Sequence, residues 1–156
     1  MNGDSGVISE GVGDAHDAFQ YGVGEVESGF EQDLSDAETQ LRKACRLLAA
    51  VTVLREKNGY HTAVVELSFG VIERSFEFYA LAMSADSLHD FTDHTAVYDR
   101  AFEMGVLSQS LCEEIKALYS QNRTASYYGD RCVDSAEAGA MYSLAADYAI
   151  ELPSTT

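Results

Sequence analysis

The sequence predicts an all-α protein, a four- to five-helix antiparallel up-and-down bundle with a flexible or arm-like N-terminal segment. Three observations lead there. Beyond Asp33, apolar residues recur at spacings of three and four, the period of a helix face and not of a strand. The only proline is Pro153, so no earlier position forbids a long helix. The segments joining the periodic stretches are short, and short turns make successive helices antiparallel neighbours.

Residues 1–33 read as an acidic, Gly-rich arm, partly disordered, and 34–153 as the bundle. The arm holds seven of the twelve glycines, and its first dozen residues are expected outside regular structure. Asp14 to Gln32 fits either a broken helix or an extended arm packed through Phe19, Tyr21, Val26 and Phe30. Gly22, Gly24 and Gly29 weaken the helical reading, so the expectation is an arm with some helix.

The first firm helix opens at Ser35, where Glu38 three residues on makes a capping box, and runs to Lys57 before Asn58 and Gly59. Leu41, Ala44, Leu48 and Val51 form its buried stripe, widened by Leu47 and Leu54. Arg42, Lys43, Arg46, Arg55 and Lys57 place half of the ten basic residues on this helix, either as a solvated face or as an anion-binding strip. The second helix, about Tyr60 to Ser84, carries two adjoining apolar stripes and must be central. Glu66, Glu73 and Glu77 lie on its polar remnant. Arg74 is expected to snorkel, and Glu73 to face an arginine of another helix.

A linker from Asp86 to Thr92 leads to a short helix from about Asp93 to Met104, closed by Gly105, with Val97, Ala101 and Phe102 inward. His94 in its first turn fits a capping or packing role or a place in a cleft. Ser108 then caps a helix whose face is Leu107, Leu111, Ile115, Leu118, Asn122 and Ala125, expected to reach about Tyr128 before Gly129 stops it. Arg123, Tyr127 and Tyr128 crowd that final turn. The last helix begins at Asp134, buries Ala138, Met141, Ala145, Tyr148 and Leu152, and ends at Pro153.

Composition limits the chemistry. A 46% hydrophobic content suffices for one sizeable core, while 26 acidic against 10 basic residues give a net charge of -16. That balance fits a salt-loaded cytoplasm of the haloarchaeal kind, or else a patch for a basic partner, and argues against tight binding of phosphate backbones. Cys45, Cys112 and Cys132 form no CxxC pair and read as reduced and mostly buried. No N-terminal basic and apolar signal and no membrane-length apolar run stands out, so the expectation is a cytoplasmic protein without a membrane partner.

The helix order, with a central aromatic helix, a histidine-bearing loop and a helix ending NRTASYYGD before an Ala-rich last helix, resembles the HEPN superfamily over residues 35–152. The resemblance implies a homodimeric bundle. Many such domains are metal-independent endoribonucleases of toxin, antiviral and RNA-processing systems, marked by an arginine and, four to six residues on, a histidine. Arg123 matches the arginine, and Tyr128 stands where the histidine would. The pattern is therefore similar to branches reading Arg, four residues, Tyr, Gly, found beside minimal nucleotidyltransferases.

The resemblance thus implies a homodimeric interaction or regulatory module of a toxin-antitoxin or defence-type system, with nucleotidyltransferase or RNA links. The alternative is an endoribonuclease with an altered Arg123/Tyr128 site, supported by Glu73, Glu77, Asn122, Tyr127 and His94. Neither a metal nor a cofactor is expected. Arg123 suits a phosphorane counter-charge, but a phenol of pKa near 10 is ionised only about one part in a thousand at pH 7. Arg123 is also expected to pair with Glu73 or Glu77 and pin the helix end to the central helix.

Overall fold

A computed structural model describes residues 5–22, 24–127 and 129–151, the side chains of 125–127, 150 and 151 apart. The described residues are all-α and contain no strand. The chain divides into two compact units, Met1–Gln32 and Asp33–Thr156.

The first unit departs from the expected arm: Ser5–Tyr21 is a continuous helix, α1, that buries none of its residues. Gly6, Gly11 and Gly13 lower its propensity without interrupting it, and Gly22 is where it stops. A Cβ at Gly22 would lie 2.5 Å from the Ala18 carbonyl oxygen, so only glycine fits that closing turn.

The second unit is a helical bundle. Helix α2 spans Asp36–Lys57, with the Ser35 side chain accepting from Glu38 N and the Glu38 carboxylate accepting from Ser35 N. Asn58 (φ 55) and Gly59 (φ 98) then reverse the chain in left-handed conformations that asparagine and glycine tolerate best. Helix α3 spans His61–Met83 and is the hub, packed against α2, α6 and α4. It is apolar on nearly every side, which is why Val64, Val71, Ile72, Phe76 and Phe78 are all buried. Glu73 and Glu77, expected on a polar remnant, are buried as well.

The linker forms a 3-10 turn, Leu88–Phe91, capped by Ser87 and Asp90. Helix α4 is shorter than expected, Ala96–Glu103, and leaves His94 in the turn before it. Its inward residues are Val97, Tyr98 and Ala101, whereas Phe102 is exposed. Gly105 (φ 78) lets Val106 N and Leu107 N both reach the Ala101 carbonyl, and Leu107 is thereby buried.

Helix α5 runs Gln109–Gln121, with Ser108 accepting from Leu111 N. Of its expected stripe, Leu107 and Ile115 are buried and Leu111 and Leu118 are not. Cys112 is buried as well. Cys112 Sγ donates to the Tyr98 carbonyl at 3.4 Å. Asn122–Tyr127 continues as a π-helical turn where an α-helix was expected. Helix α6, Ser135–Glu151, starts after Asp134, whose side chain accepts from Glu137 N, and buries Ala138, Met141 and Ala145. Leu152 and Pro153 lie outside the described residues.

Two further expectations change. Gln40 replaces Leu41 among the buried residues of α2. Of the free cysteines only Cys112 is buried, and Cys45 and Cys132 are exposed.

Candidate functional site

The residues singled out in the sequence converge only in part. Glu73, midway along α3, points toward the turn before α4 and toward α4 itself. Its Oε2 lies 3.2 Å from His94 Nδ1, and its Oε1 accepts from the Tyr98 hydroxyl at 3.3 Å. This answers the expectation of an arginine partner: the groups facing Glu73 are an imidazole and a phenol. The Glu73 side chain is 8% exposed and that of His94 is 60%, so the pair spans the boundary between core and water.

Burial raises the Glu73 carboxyl above the usual carboxylate range, with the hydrogen bonds and charge of His94 and the Tyr98 hydroxyl pulling the other way. The Tyr98 phenol is pushed far up, first by burial and then by the neighbouring Glu73 charge, so it stays a donor at all physiological pH.

Tyr119, on the inward side of α5, joins this pair to the helix end. His94 stacks on its ring at 5.8 Å between centroids, and Phe69 meets it edge-on at 5.7 Å. The Arg123 guanidinium carbon stands 5.7 Å from the same centroid. Burial raises the Tyr119 phenol, which Arg123 partly offsets. His94 and Arg123, far apart in sequence, therefore share one aromatic platform.

The sequence-based anchoring of the helix end also changes. Asn122, first residue of the π turn, donates to Glu66 Oε1 at 2.9 Å, so Glu66 is the α3 carboxylate that ties down the end of α5. Glu77 is held by Arg74 of its own helix at 2.7 Å. Both carboxylates that were expected to meet Arg123 have other partners, His94 and Tyr98 on Glu73 and Arg74 on Glu77, and the arginine lies in a cation-π position over Tyr119. Tyr128 lies outside the described residues, and of Tyr127 only the backbone is described.

Tyr98 and Tyr119 are members of the site that pattern reading passes over, and Glu66 was read only as part of the polar remnant of α3. Tyr119 follows Cys112 and Ile115 at helical spacing, and that alternative stripe is the signal that would find it.

Beside the site, α3, α5 and α6 leave an open cavity of about 390 Å³ between them. Phe69, Leu118, Met141 and Leu144 supply apolar walls, and Gln121 and Arg131 stand among its polar lining. Among the described residues no group of three or more His, Cys, Asp or Glu is placed to hold a metal ion, and no helix is long and apolar enough to cross a membrane.

The chain belongs to the family described as a domain of unknown function (DUF8154), which matches residues 3–151. No curated protein and no solved structure matches it.

Proposed function

We propose that the protein is a homodimeric, HEPN-like interaction module, a cytoplasmic regulatory component of a toxin-antitoxin or defence-type system with a nucleotidyltransferase or RNA-linked partner. The observation that carries this reading is the open apolar cavity at the end of α5, whose wall residue Leu118 stays 42% exposed. Water-filled apolar clefts of this size are unfavourable unless something covers them. The helical bundle and the motif Arg123, four residues, Tyr128, Gly129 support the HEPN-like assignment. Light scattering in high salt tests the dimer, and mass spectrometry of what copurifies from the native host tests the partner. A monomer that copurifies with nothing overturns the reading.

A specific observation favours a second reading, an endoribonuclease with an altered site. His94 is backed by buried Glu73 and shares the Tyr119 platform with Arg123. With Nδ1 turned to Glu73, Nε2 is the nitrogen left to take a proton from a ribose 2′-hydroxyl. The 2′-oxygen then attacks phosphorus, the bond to the 5′-oxygen breaks, and the imidazolium returns the proton to that leaving oxygen. Arg123 would hold the charge of the phosphorane. In this reading His94 takes the role that Tyr128 fills poorly. A ribonuclease assay in high salt decides it: cleavage by the parent, lost in His94→Ala and Arg123→Ala, supports it, and an inert parent refutes it.

A further inference from the structure

We infer that the cavity between α3, α5 and α6 is a binding site for an uncharged, mainly apolar small molecule about the size of two or three rings. The inference goes beyond the dimer reading. A partner can lie over Leu118 at the mouth, whereas the ligand fills the volume behind it.

Size narrows the possible occupants first. The cavity encloses about 390 Å³ and so falls within the ~300–1,000 Å³ of small-molecule sites. An apolar cavity of about 150 Å³ already accepts a benzene-sized guest, which leaves room here for a larger ring system. A helix, about 10 Å across with its side chains, does not enter.

The walls favour an apolar guest. Val65 and Phe69 come from α3, Leu118 from α5, and Met141 and Leu144 from α6. Val65, Phe69 and Met141 are buried members of the hydrophobic core, so the inner wall of the cavity is part of that core. Phe69 is also braced edge-on against Tyr119. Water against such a wall finds few hydrogen-bond partners, and an apolar molecule displaces it favourably.

Charge then selects the class of ligand. Among the described lining residues the charged ones are Arg131 and Glu137, and they bond to each other. An ionic ligand has to break that pair or enter without a counter-charge, and either is unfavourable in a mainly apolar space. The other polar groups of the lining are the amides of Gln121 and Asn122, and Asn122 is committed to Glu66 at 2.9 Å. An uncharged ligand meets neither obstacle, and the Gln121 amide can donate to or accept from one polar group on it.

The test uses the full chain in about 1 M KCl, where screening over about 3 Å suppresses the chain's general repulsion of anions. Two fluorescent probes share one ring system: neutral N-phenylnaphthylamine and the negatively charged anilinonaphthalene sulfonate. The expected result is saturable binding of the neutral probe, one per chain, at least about tenfold tighter than the sulfonate. Ala140→Trp, which fills the cavity from an exposed position on α6, should weaken the neutral probe at least about tenfold. Val53→Trp, on the exposed face of α2 and away from the cavity lining, should leave it unchanged. Both substitutions sit at exposed positions, and far-ultraviolet circular dichroism checks that the helices persist. Sulfonate binding as tight as that of the neutral probe, neutral-probe binding unchanged by Ala140→Trp, or no saturable binding to the parent overturns the site. Light scattering on the same samples keeps the two readings apart. One probe per chain on a monomer upholds the site and removes the dimer, and a dimer that takes no probe does the reverse.

Discussion

Glu73 and His94 meet at 3.2 Å, the carboxylate in the core and the imidazole largely in water. Because burial raises the Glu73 carboxyl, the folded state holds its proton more tightly than the unfolded chain does. The stability this proton contributes is present below the ordinary carboxylate range and is lost as pH rises through the raised folded value. Glu73→Gln removes the titration while keeping an acceptor for Tyr98. The stability difference between parent and Glu73→Gln should therefore move against the parent as pH rises across that window. Denaturant unfolding at several pH values measures it, and a pH-independent difference would contradict the assignment.

Tyr98→Phe probes the same carboxylate from inside the core. The phenol is fully buried and donates to Glu73 Oε1, so its loss should cost about 1–3 kcal/mol with little change in shape. Thermal unfolding at neutral pH is the measurement, and a change within error would mean the hydrogen bond is not made.

Asn122 and Glu66 fix the start of the π turn to α3. Asn122→Ala should cost about 1 kcal/mol, and a double-mutant cycle with Glu66→Ala should return a coupling of about 0.5–1.5 kcal/mol. Strictly additive losses would show that the two side chains act separately.

These sites show what could be read in advance and what could not. The capping box of Ser35 and Glu38 and the closing glycines at 59 and 105 are local devices, legible because each acts through a few neighbouring backbone groups. The central place of α3 followed from its two adjoining apolar stripes. The partners of Glu73 were not legible, because which side chain faces a carboxylate across helices depends on rotations that periodicity leaves open. Helix α5 shows the size of that freedom. Ile115 belongs both to the expected stripe with Leu111 and Leu118 and to one with Cys112 and Tyr119, and the structure buries Cys112 and leaves Leu111 and Leu118 exposed. The π turn was illegible too, since a change from α to π winding has no composition of its own. Helix α1 was underread because its glycines lower helix propensity without forbidding the conformation.

Salt gives an independent test of the acidic composition. At a net charge of -16 the repulsion between carboxylates is screened over about 10 Å at 0.1 M salt and about 3 Å at 1 M. The unfolding temperature should rise steeply between about 0.1 and about 2 M KCl. A flat profile would remove the salt-adaptation reading and favour a basic partner for this surface.

Arg123→Ala separates structure from chemistry at the site. If Arg123 pairs with a buried carboxylate, its removal strands a charge and costs about 3 kcal/mol or more. Glu73 is held by His94 and Tyr98, and Glu77 by Arg74, while Arg123 lies 5.7 Å over the Tyr119 ring. Loss of that cation-π contact at a half-exposed position contributes about 1 kcal/mol, and a total near that value leaves a folded protein. If the parent cleaves RNA, the same variant should lose that cleavage with its fold intact, because the phosphorane would lack its counter-charge. Calorimetry and a cleavage assay on one preparation give both readings together. A loss of several kcal/mol would assign Arg123 to the scaffold, and an unchanged cleavage rate in a folded variant would remove it from the chemistry.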